Sequence, residues 1–259
     1  MEPILVSIEA GVQRITLNRP EKLNAFNPAL HQGLADAMTR AESDSGVRCL
    51  LITGAGRGFC AGQDLTERDM KAAAIDLGSG LETWYNPLVK RMRALEKPIV
   101  CAVNGVAAGA GANFALACDI VLAARSASFI QAFVKIGLVP DCGGTYFLPR
   151  LAGTQRAMAL AMTGDRLSAE DAERWGLIWK CVDDAQLVFE SEKLSAALAA
   201  GPTKSLGLIK KAIYSSANST LDKQLDLERD LQREVGKGED YREGVAAFLE
   251  KRKPAFKGR

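Results

Sequence analysis

The sequence is poor in histidine, and this scarcity excludes several catalytic and metal-binding designs. His31 is the single histidine among 259 residues. Zinc sites combine several histidine, cysteine or carboxylate ligands at suitable spacing, and no such pattern is present. A serine–histidine–aspartate triad would have to use His31, which follows Asn27 and Pro28 at a predicted helix start. We therefore expect no metal, and an exposed or half-buried helical His31 without a catalytic role.

Paired cysteines and long apolar runs are also missing. The six cysteines are dispersed, without a Cys-x-x-Cys pair, and several lie in strand-like apolar runs. The longest apolar stretches, residues 98–103 and 120–124, are far shorter than the ~20 residues of a membrane span. The N-terminus has no basic segment followed by an apolar run. These features predict a cytoplasmic protein with no membrane partner.

The sequence has no strong excess of either charge. Thirty-three Lys and Arg stand against 31 Asp and Glu, well mixed, for a formal net charge of +2. Nucleic-acid binders usually have a stronger basic bias, so nucleic acid is not expected as a partner. The length and the 47% hydrophobic content suit one large domain, or one domain with a smaller helical appendage.

Apolar periodicity predicts the order of the secondary-structure elements. The patterns indicate a hairpin over residues 4–17, helices over 28–40 and 81–94, and strands over 49–53, 98–103 and 120–124. The small residues after Asn104 and Gly105 are predicted to open another helix. Residues 66–80 have weak periodicity and end in Gly78-Ser79-Gly80, which predicts a mobile stretch. Alternating strands and helices are typical of an α/β domain with parallel strands.

The strand signals end near residue 189. Beyond it, four helical patterns over residues 190–199, 206–215, 221–235 and 241–251 predict a helical region that could serve as an oligomerisation layer. We therefore divide the chain into residues 1–188 and residues 189–259.

Two small-residue stretches are candidates for a ligand site. Residues 58–65 and 104–113 each follow a predicted strand, at the end where α/β folds bind ligands. Glycine and alanine allow a ligand to approach the main chain, and a helix start offers free N–H groups. The alternative is that these small residues only permit tight packing. A third candidate, Asp141 before Gly143-Gly144, is either a turn residue or a partly buried base.

Taken together, these segments resemble the crotonase, or enoyl-CoA hydratase/isomerase, superfamily over nearly the full length of the chain. The matching segments occur in the family's order, at residues 15–25, 60–64, 97–111, 161–169 and 172–177. The resemblance implies a β-β-α spiral core, a C-terminal helical trimerisation region and a homotrimer or homohexamer. It also implies an acyl-CoA thioester substrate and no cofactor beyond the CoA that the substrate carries.

The resemblance also assigns roles to individual residues. The backbone N–H groups of Gln63 and Ala110 match the family's two oxyanion donors, which hold the thioester oxygen. Residues that match CoA-contacting positions in the loops are Lys22, Leu23, Ala25, Ala61, Asp64 and Leu65. Phe248 and Lys251 match a C-terminal pair that contacts CoA, in some cases across a subunit boundary.

The departures from the family pattern concern the acid and base. Counted from Cys118-Asp119-Ile120, the positions of the two hydratase glutamates hold Asn113 and Phe133, neither of which is a general base. We place both among the substrate-binding residues. Asp141 lies on the loop where isomerase branches carry their carboxylate, and one carboxylate suffices for a proton shift.

The resemblance is strongest to an isomerase branch that acts on the ring epoxide of phenylacetyl-CoA, on segments 49–65, 85–89, 140–145 and 224–244. The expected function is therefore a CoA-thioester isomerase with Asp141 as its acid and base. Two alternatives stay open: a general Δ3,Δ2-enoyl-CoA isomerase, and a CoA-thioester-binding subunit without turnover.

Overall fold

The fold combines two β-sheets with helices that surround them. The computed structural model describes residues 2–67 and 76–259. The strands within these ranges are β1 Ile4–Glu9, β2 Val12–Leu17, β3 Cys49–Gly54, β4 Gly58–Cys60, β5 Ile99–Val103, β6 Val106–Ala108, β7 Ile120–Ala124, β8 Ser128–Ile130, β9 Arg166–Ser168 and β10 Lys180–Val182. The α-helices are α1 Pro28–Ser43, α2 Leu77–Gly80, α3 Asn86–Ala94, α4 Ala110–Leu116, α5 Gly144–Ala152, α6 Thr154–Thr163, α7 Ala169–Arg174, α8 Leu187–Ala199, α9 Thr203–Ser216, α10 Leu221–Val235 and α11 Glu239–Leu249.

The chain alternates between the two sheets and so forms a spiral. The larger sheet has the strand order β1-β2-β3-β5-β7-β10, and the smaller has the order β4-β6-β8-β9. Each of β3, β5 and β7 is followed by a short strand of the smaller sheet, and β3–β5, β5–β7, β4–β6 and β6–β8 all pair in parallel. This is the β-β-α spiral that the family resemblance implied.

Most of the predicted elements of the first half are confirmed. The hairpin pairs Ile4 with Leu17, helix α1 begins at Pro28, and the strands predicted near residues 49, 98 and 120 are β3, β5 and β7. Helix α1 begins where the Asn27 side chain accepts a hydrogen bond from the Leu30 N–H at 3.0 Å. The prediction of a helix directly after Gly105 is wrong for three residues. Val106–Ala108 forms β6, because β4 on one side and β8 on the other supply backbone partners.

The C-terminal helices are attached to the core through buried polar contacts as well as packing. Helix α8 packs against β3, β5 and β7. Lys210 on α9 is buried, and its ammonium donates to Asp119 at 2.9 Å and to the Met92 carbonyl at 2.8 Å. Burial lowers the pKa of Lys210, and the Asp119 carboxylate opposes that shift. The helical region predicted from residue 189 is confirmed as helical, while the boundary between residues 188 and 189 stays a prediction.

Part of the stretch predicted to be mobile, residues 68–75, lies outside the described residues. Of the remainder, Asp76 caps α2 by accepting from the Gly78 N–H at 2.9 Å. Among the described residues, no helix combines the length and apolar character that a membrane crossing requires.

The expectation for the exposure of His31 is wrong. His31 is 4% exposed, and its ring is stacked between Phe26 and Trp84, with centroid separations of 5.0 and 5.5 Å. Neither ring nitrogen has a hydrogen-bond partner among the described residues. Burial lowers its pKa from 6.5 to about 4, so the ring is neutral at physiological pH. An aromatic neighbourhood formed by Phe26, Trp84 and Tyr85 therefore replaces the half-exposed helix face that the local pattern suggested.

This burial predicts that His31 weakens the fold as the pH falls. Because the pKa is lower in the folded state, the unfolded chain binds more protons between about pH 6.5 and 4, and the stability decreases as the pH decreases through that window. When the pH is lowered from 7.5 to 5, the free energy of unfolding of the His31→Leu variant should increase by about 2 kcal/mol relative to that of the unsubstituted protein. Urea unfolding of both proteins at the two pH values measures this difference, and an equal difference at both would contradict the neutral buried ring.

Candidate active site

The pairing of β4 with β6 brings two candidate loops into contact. Cys60 is the pairing partner of Ala107, so the loop after β4 and the start of α4 lie side by side. A Cβ atom on Gly62 would lie 2.9 Å from the Ala108 carbonyl oxygen and 3.4 Å from the Ala110 nitrogen. Gly62 also has a φ of +88°, so a side chain there would be strained as well as crowded.

Two backbone N–H groups are presented at this contact. Phe26 donates to the Gly62 carbonyl at 2.7 Å and accepts from the Asp64 N–H at 2.8 Å. In this parallel arrangement both bonds go to the neighbours of Gln63, so the Gln63 N–H points away from Phe26. Ala110 is the first residue of α4, where an N–H has no partner within the helix. Two adjacent N–H donors of this kind suit the oxygen of a thioester enolate.

Asn113 lies one turn after Ala110 and has its amide engaged by protein groups. Its Nδ2 donates to the Asp141 carbonyl at 2.8 Å, and its Oδ1 accepts from Gln131 at 2.9 Å. It is fully buried, and a Cβ on Gly144 would lie 2.2 Å from its Nδ2. The amide thus attaches the Asp141 segment to α4; the residue type predicted an orienting role through hydrogen bonds, and the structure supplies the partners.

The segment that carries Asp141 is a tight turn between the Phe133 region and α5. Cys142 and Gly143 both have left-handed backbone conformations, with φ of +51° and +79°. The Asp141 carbonyl also accepts from the Gly144 N–H at 2.8 Å, which fixes its main chain from a second side. Phe133 reaches the start of α4, because a Cβ on Gly109 would lie 3.8 Å from its Cζ. Asp141 itself is half-buried.

Asp64 is held within its own loop. Its carboxylate accepts from Arg19 at 2.9 Å and from the Thr66 hydroxyl at 2.6 Å. The Thr66 hydrogen bond, followed by the Arg19 contact, lowers the pKa of the Asp64 carboxyl. This buried ion pair connects the 19–25 segment to the loop that carries Gln63. Asp64 therefore shapes the loop through its side chain.

The other residues predicted to contact CoA differ in where the structure places them. Leu23 and Ala61 are adjacent, since the Ala61 N–H donates to the Leu23 carbonyl at 2.9 Å, and both are half-buried. Exposed Lys22 and Leu65 and buried Ala25 belong to the same two loops. Asn24, between these positions, donates to the Ala55 carbonyl at 2.9 Å and to the Gly58 carbonyl at 2.8 Å. Its place inside the matching segment 15–25 was the available signal for this supporting role.

Phe248 and Lys251 lie at the end of α11 and are not brought to these loops within one chain. Phe248 is 82% exposed and borders an apolar groove formed by α9, α10 and α11. Lys251 is exposed and follows the last turn of the helix.

The two cysteines that flank the site are unsuited to nucleophilic catalysis. Cys60 and Cys142 are both buried. Burial raises the pKa of the Cys60 thiol to about 12 and raises the pKa of Cys142 well above its ordinary value. Both remain protonated thiols near neutral pH, and a thiol is a poor nucleophile.

The structure adds Tyr85 to this site. Its hydroxyl donates to the Gln63 Oε1 at 2.7 Å, across 22 residues of sequence. Tyr85 belongs to the segment 85–89 that resembles the isomerase branch, and nothing in the local sequence predicts its contact with Gln63.

We expect Asn113→Leu to destabilise the protein by about 2–3 kcal/mol, because it leaves the Gln131 amide without its buried acceptor and the Asp141 carbonyl with one donor fewer. Urea unfolding measures the free energy change. Asn218→Leu, at an exposed position after α9, is the matched control and should change the stability by less than about 0.5 kcal/mol. Equal effects of the two substitutions would contradict the structural role of Asn113.

Comparison with known proteins identifies the family. The family model described as Enoyl-CoA hydratase/isomerase matches residues 7–259. The chain is 59% identical to a 1,2-epoxyphenylacetyl-CoA isomerase of Escherichia coli and 35% identical to a 2,3-dehydroadipyl-CoA hydratase of the same organism, with all of each chain covered in both cases. The crystal structure of an enoyl-CoA hydratase from Bacillus anthracis has a TM-score of 0.93 at 32% identity, covering 99% of this chain and 100% of that one. The chain therefore belongs to the enoyl-CoA hydratase/isomerase family.

Proposed function

We propose that this protein is an isomerase of CoA thioesters that converts ring-1,2-epoxyphenylacetyl-CoA to oxepin-CoA and also shifts the double bond of β,γ-unsaturated acyl-CoAs. The observation that carries the proposal is the composition of the site: two oxyanion N–H donors, Asp141, and no glutamate at position 113 or 133. The 59% identity to the Escherichia coli isomerase over the whole chain supports the choice of substrate.

The double-bond shift follows from these groups. The N–H groups of Gln63 and Ala110 donate to the thioester oxygen, and Asp141 removes a proton from the carbon between the thioester and the double bond. The electron pair then occupies an enolate whose oxygen the two donors stabilise. Return of the proton to the far end of the former double bond gives the conjugated product and restores the Asp141 carboxylate. The reaction conserves the atoms of its substrate, so we propose no cofactor beyond the CoA moiety.

The same site is poorly suited to adding water. Hydration needs groups that activate a water molecule, and the amide of Asn113 is already engaged by Asp141 and Gln131. Phe133 supplies only apolar surface. We therefore propose that Asn113 and Phe133 position the reacting segment and shape the pocket, without transferring protons.

Two activities remain to be separated from this one by experiment. A general Δ3,Δ2-enoyl-CoA isomerase would prefer fatty acyl chains to the aromatic epoxide when the two substrates compete. A binding subunit without turnover would catalyse no exchange of the acyl α-proton for deuterium. The half-buried Asp141, attached to the element that carries Ala110, favours an enzyme over a binding subunit.

Purified protein should convert 3-hexenoyl-CoA to its conjugated isomer and should hydrate crotonyl-CoA at a rate at least about 100-fold lower. Asp141→Asn should lower the isomerisation rate by about 10²–10⁴-fold with little change in affinity for CoA thioesters, because it removes the base and preserves the shape of the side chain. Both rates follow from the absorbance of the enoyl thioester, and affinity follows from calorimetric titration.

Three outcomes would contradict the proposal. Efficient hydration would reveal a second acid or base. Isomerisation that persists in Asp141→Asn would remove Asp141 from its assigned role. Faster turnover of 3-hexenoyl-CoA than of the aromatic epoxide in a competing assay would favour the general isomerase.

We also propose that α9, α10 and α11 form an oligomer interface, to which Phe248 and Lys251 bring a CoA contact across the boundary. The groove between these helices has a volume of about 630 Å³ and is lined mostly by apolar side chains, among them exposed Ile209, Ile213 and Leu249. Apolar surface of this kind is typically covered by a protein partner.

Sedimentation equilibrium should therefore give three or six times the 27.7 kDa mass of the chain. Ile213→Glu should lower that mass, because a charge would be buried at the interface. Glu228→Gln, on the polar border of the same groove, is the control and should leave the mass unchanged. A monomer at all concentrations would contradict the interface.

A further inference from the structure

The side-chain amide of Gln63 is held at both of its ends. Its Nε2 donates to the Phe26 carbonyl at 3.1 Å, and its Oε1 accepts from the Tyr85 hydroxyl at 2.7 Å. The same residue supplies one of the two N–H groups that we assign to the thioester oxygen. The residue whose backbone N–H we assign to the thioester oxygen therefore has its side chain fixed by two hydrogen bonds.

The helical segment that ends at Tyr85 is a wide turn directly before α3. Leu81–Tyr85 forms a π-helical segment between α2 and α3, closed by a hydrogen bond from the Asn86 N–H to the Leu81 carbonyl. Such wide turns are rare and frequently occur at functional sites. Here the wide turn ends at Tyr85 itself and carries the two aromatic residues, Trp84 and Tyr85, that contact His31.

Aromatic packing gives the Tyr85 ring a defined orientation. Tyr85 is buried, and its ring makes edge-to-face contacts with the rings of His31 and Phe26. The ring centroids are 4.5 Å apart for His31 and 5.3 Å apart for Phe26. His31 in turn is stacked between Phe26 and Trp84. Since the ring cannot reorient without disturbing these neighbours, its hydroxyl is directed at Gln63.

The loop that carries Gln63 is restrained at some positions and exposed at others. Gly62, directly before Gln63, has a left-handed backbone; Asp64, directly after it, is buried, and the exposed residues Leu65 and Thr66 follow. The hydrogen bond from the Phe26 N–H to the Gly62 carbonyl at 2.7 Å restrains the Gly62–Gln63 peptide from one side, and the Gln63 side chain adds a second restraint through the Tyr85 hydroxyl. Oxyanion donors are effective when they are already oriented before the charge develops.

We infer that Tyr85 is a positioning residue that acts through the Gln63 side chain to orient the Gln63 N–H toward the thioester oxygen, a role that rests on the proposed function. Loss of its hydroxyl would leave the ring cluster in place while the donor becomes less well oriented. The effect should appear in the reaction of bound substrate more than in its binding.

Tyr85→Phe tests this directly. We expect kcat for 3-hexenoyl-CoA to fall about tenfold with KM changed less than about twofold, a smaller loss than the ~10²–10³ for removal of an oxyanion donor. The infrared stretch of a ¹³C-labelled thioester carbonyl in bound hexanoyl-CoA should move back toward its frequency in water. Hexanoyl-CoA has no double bond to shift, so this second readout reports polarisation of the carbonyl without turnover.

Tyr214→Phe is the matched control. The Tyr214 hydroxyl also donates to a partly buried side chain, that of Asp119. This contact attaches α9 to the core. Its loss should lower the stability and leave both kcat and the carbonyl frequency unchanged. A Tyr85→Phe variant that behaves like Tyr214→Phe would overturn the inference.

Gln63→Met supplies an independent test that leaves the aromatic cluster intact. It removes the acceptor of the Tyr85 hydroxyl, so it should reproduce the carbonyl shift of Tyr85→Phe, and combining the two substitutions should add no further change. Additive effects would contradict action through Gln63. If the unsubstituted protein polarises the carbonyl but does not isomerise 3-hexenoyl-CoA, the proposed function fails while the positioning role can still be judged from the spectrum.

Discussion

The close approach of the main chain at β4 to the main chain at α4 is the constraint on which the site depends. A Cβ on Gly111 would lie 2.3 Å from the Cys60 carbonyl oxygen, and one on Gly62 would lie 2.9 Å from that of Ala108. Only residues without side chains allow this separation, which places the loop that carries Gln63 against the start of α4, where Ala110 lies. The small-residue stretches are therefore required by the close approach of the two main chains, at which we propose that the thioester oxygen binds.

The chemistry depends on which side chains surround those donors. Asn113 uses both ends of its amide to join the Asp141 turn and Gln131 to α4, and Phe133 covers Gly109. A carboxylate at either position would be a candidate proton carrier, whereas an amide and a phenyl ring are not. We therefore propose Asp141 as the acid and base, because a proton shift within one substrate needs one such group.

His31 is connected to the loop that carries Gln63 through a chain of contacts between side chains. Its neutral ring is stacked between Phe26 and Trp84 and meets Tyr85 edge-on, and Tyr85 donates to Gln63. Since neither ring nitrogen has a hydrogen-bond partner within residues 2–67 and 76–259, burial of this ring lowers the stability of the folded state. In return, the cluster has a single arrangement that extends from α1 to the oxyanion loop.

The sequence alone was enough to predict the hairpin, the start of α1, the strands β3, β5 and β7 and the helical C-terminal region, because these follow from local periodicity and capping. It also determined the family, through motifs that occur along the chain in a fixed order. Long-range contacts account for the strand at residues 106–108, the burial of His31 and the contact of Tyr85 with Gln63. Each of these outcomes depends on a partner that is distant in sequence, β8 for the strand, Trp84 for the histidine and the β4 loop for the tyrosine. Local propensity carries no information about partners that only folding brings together.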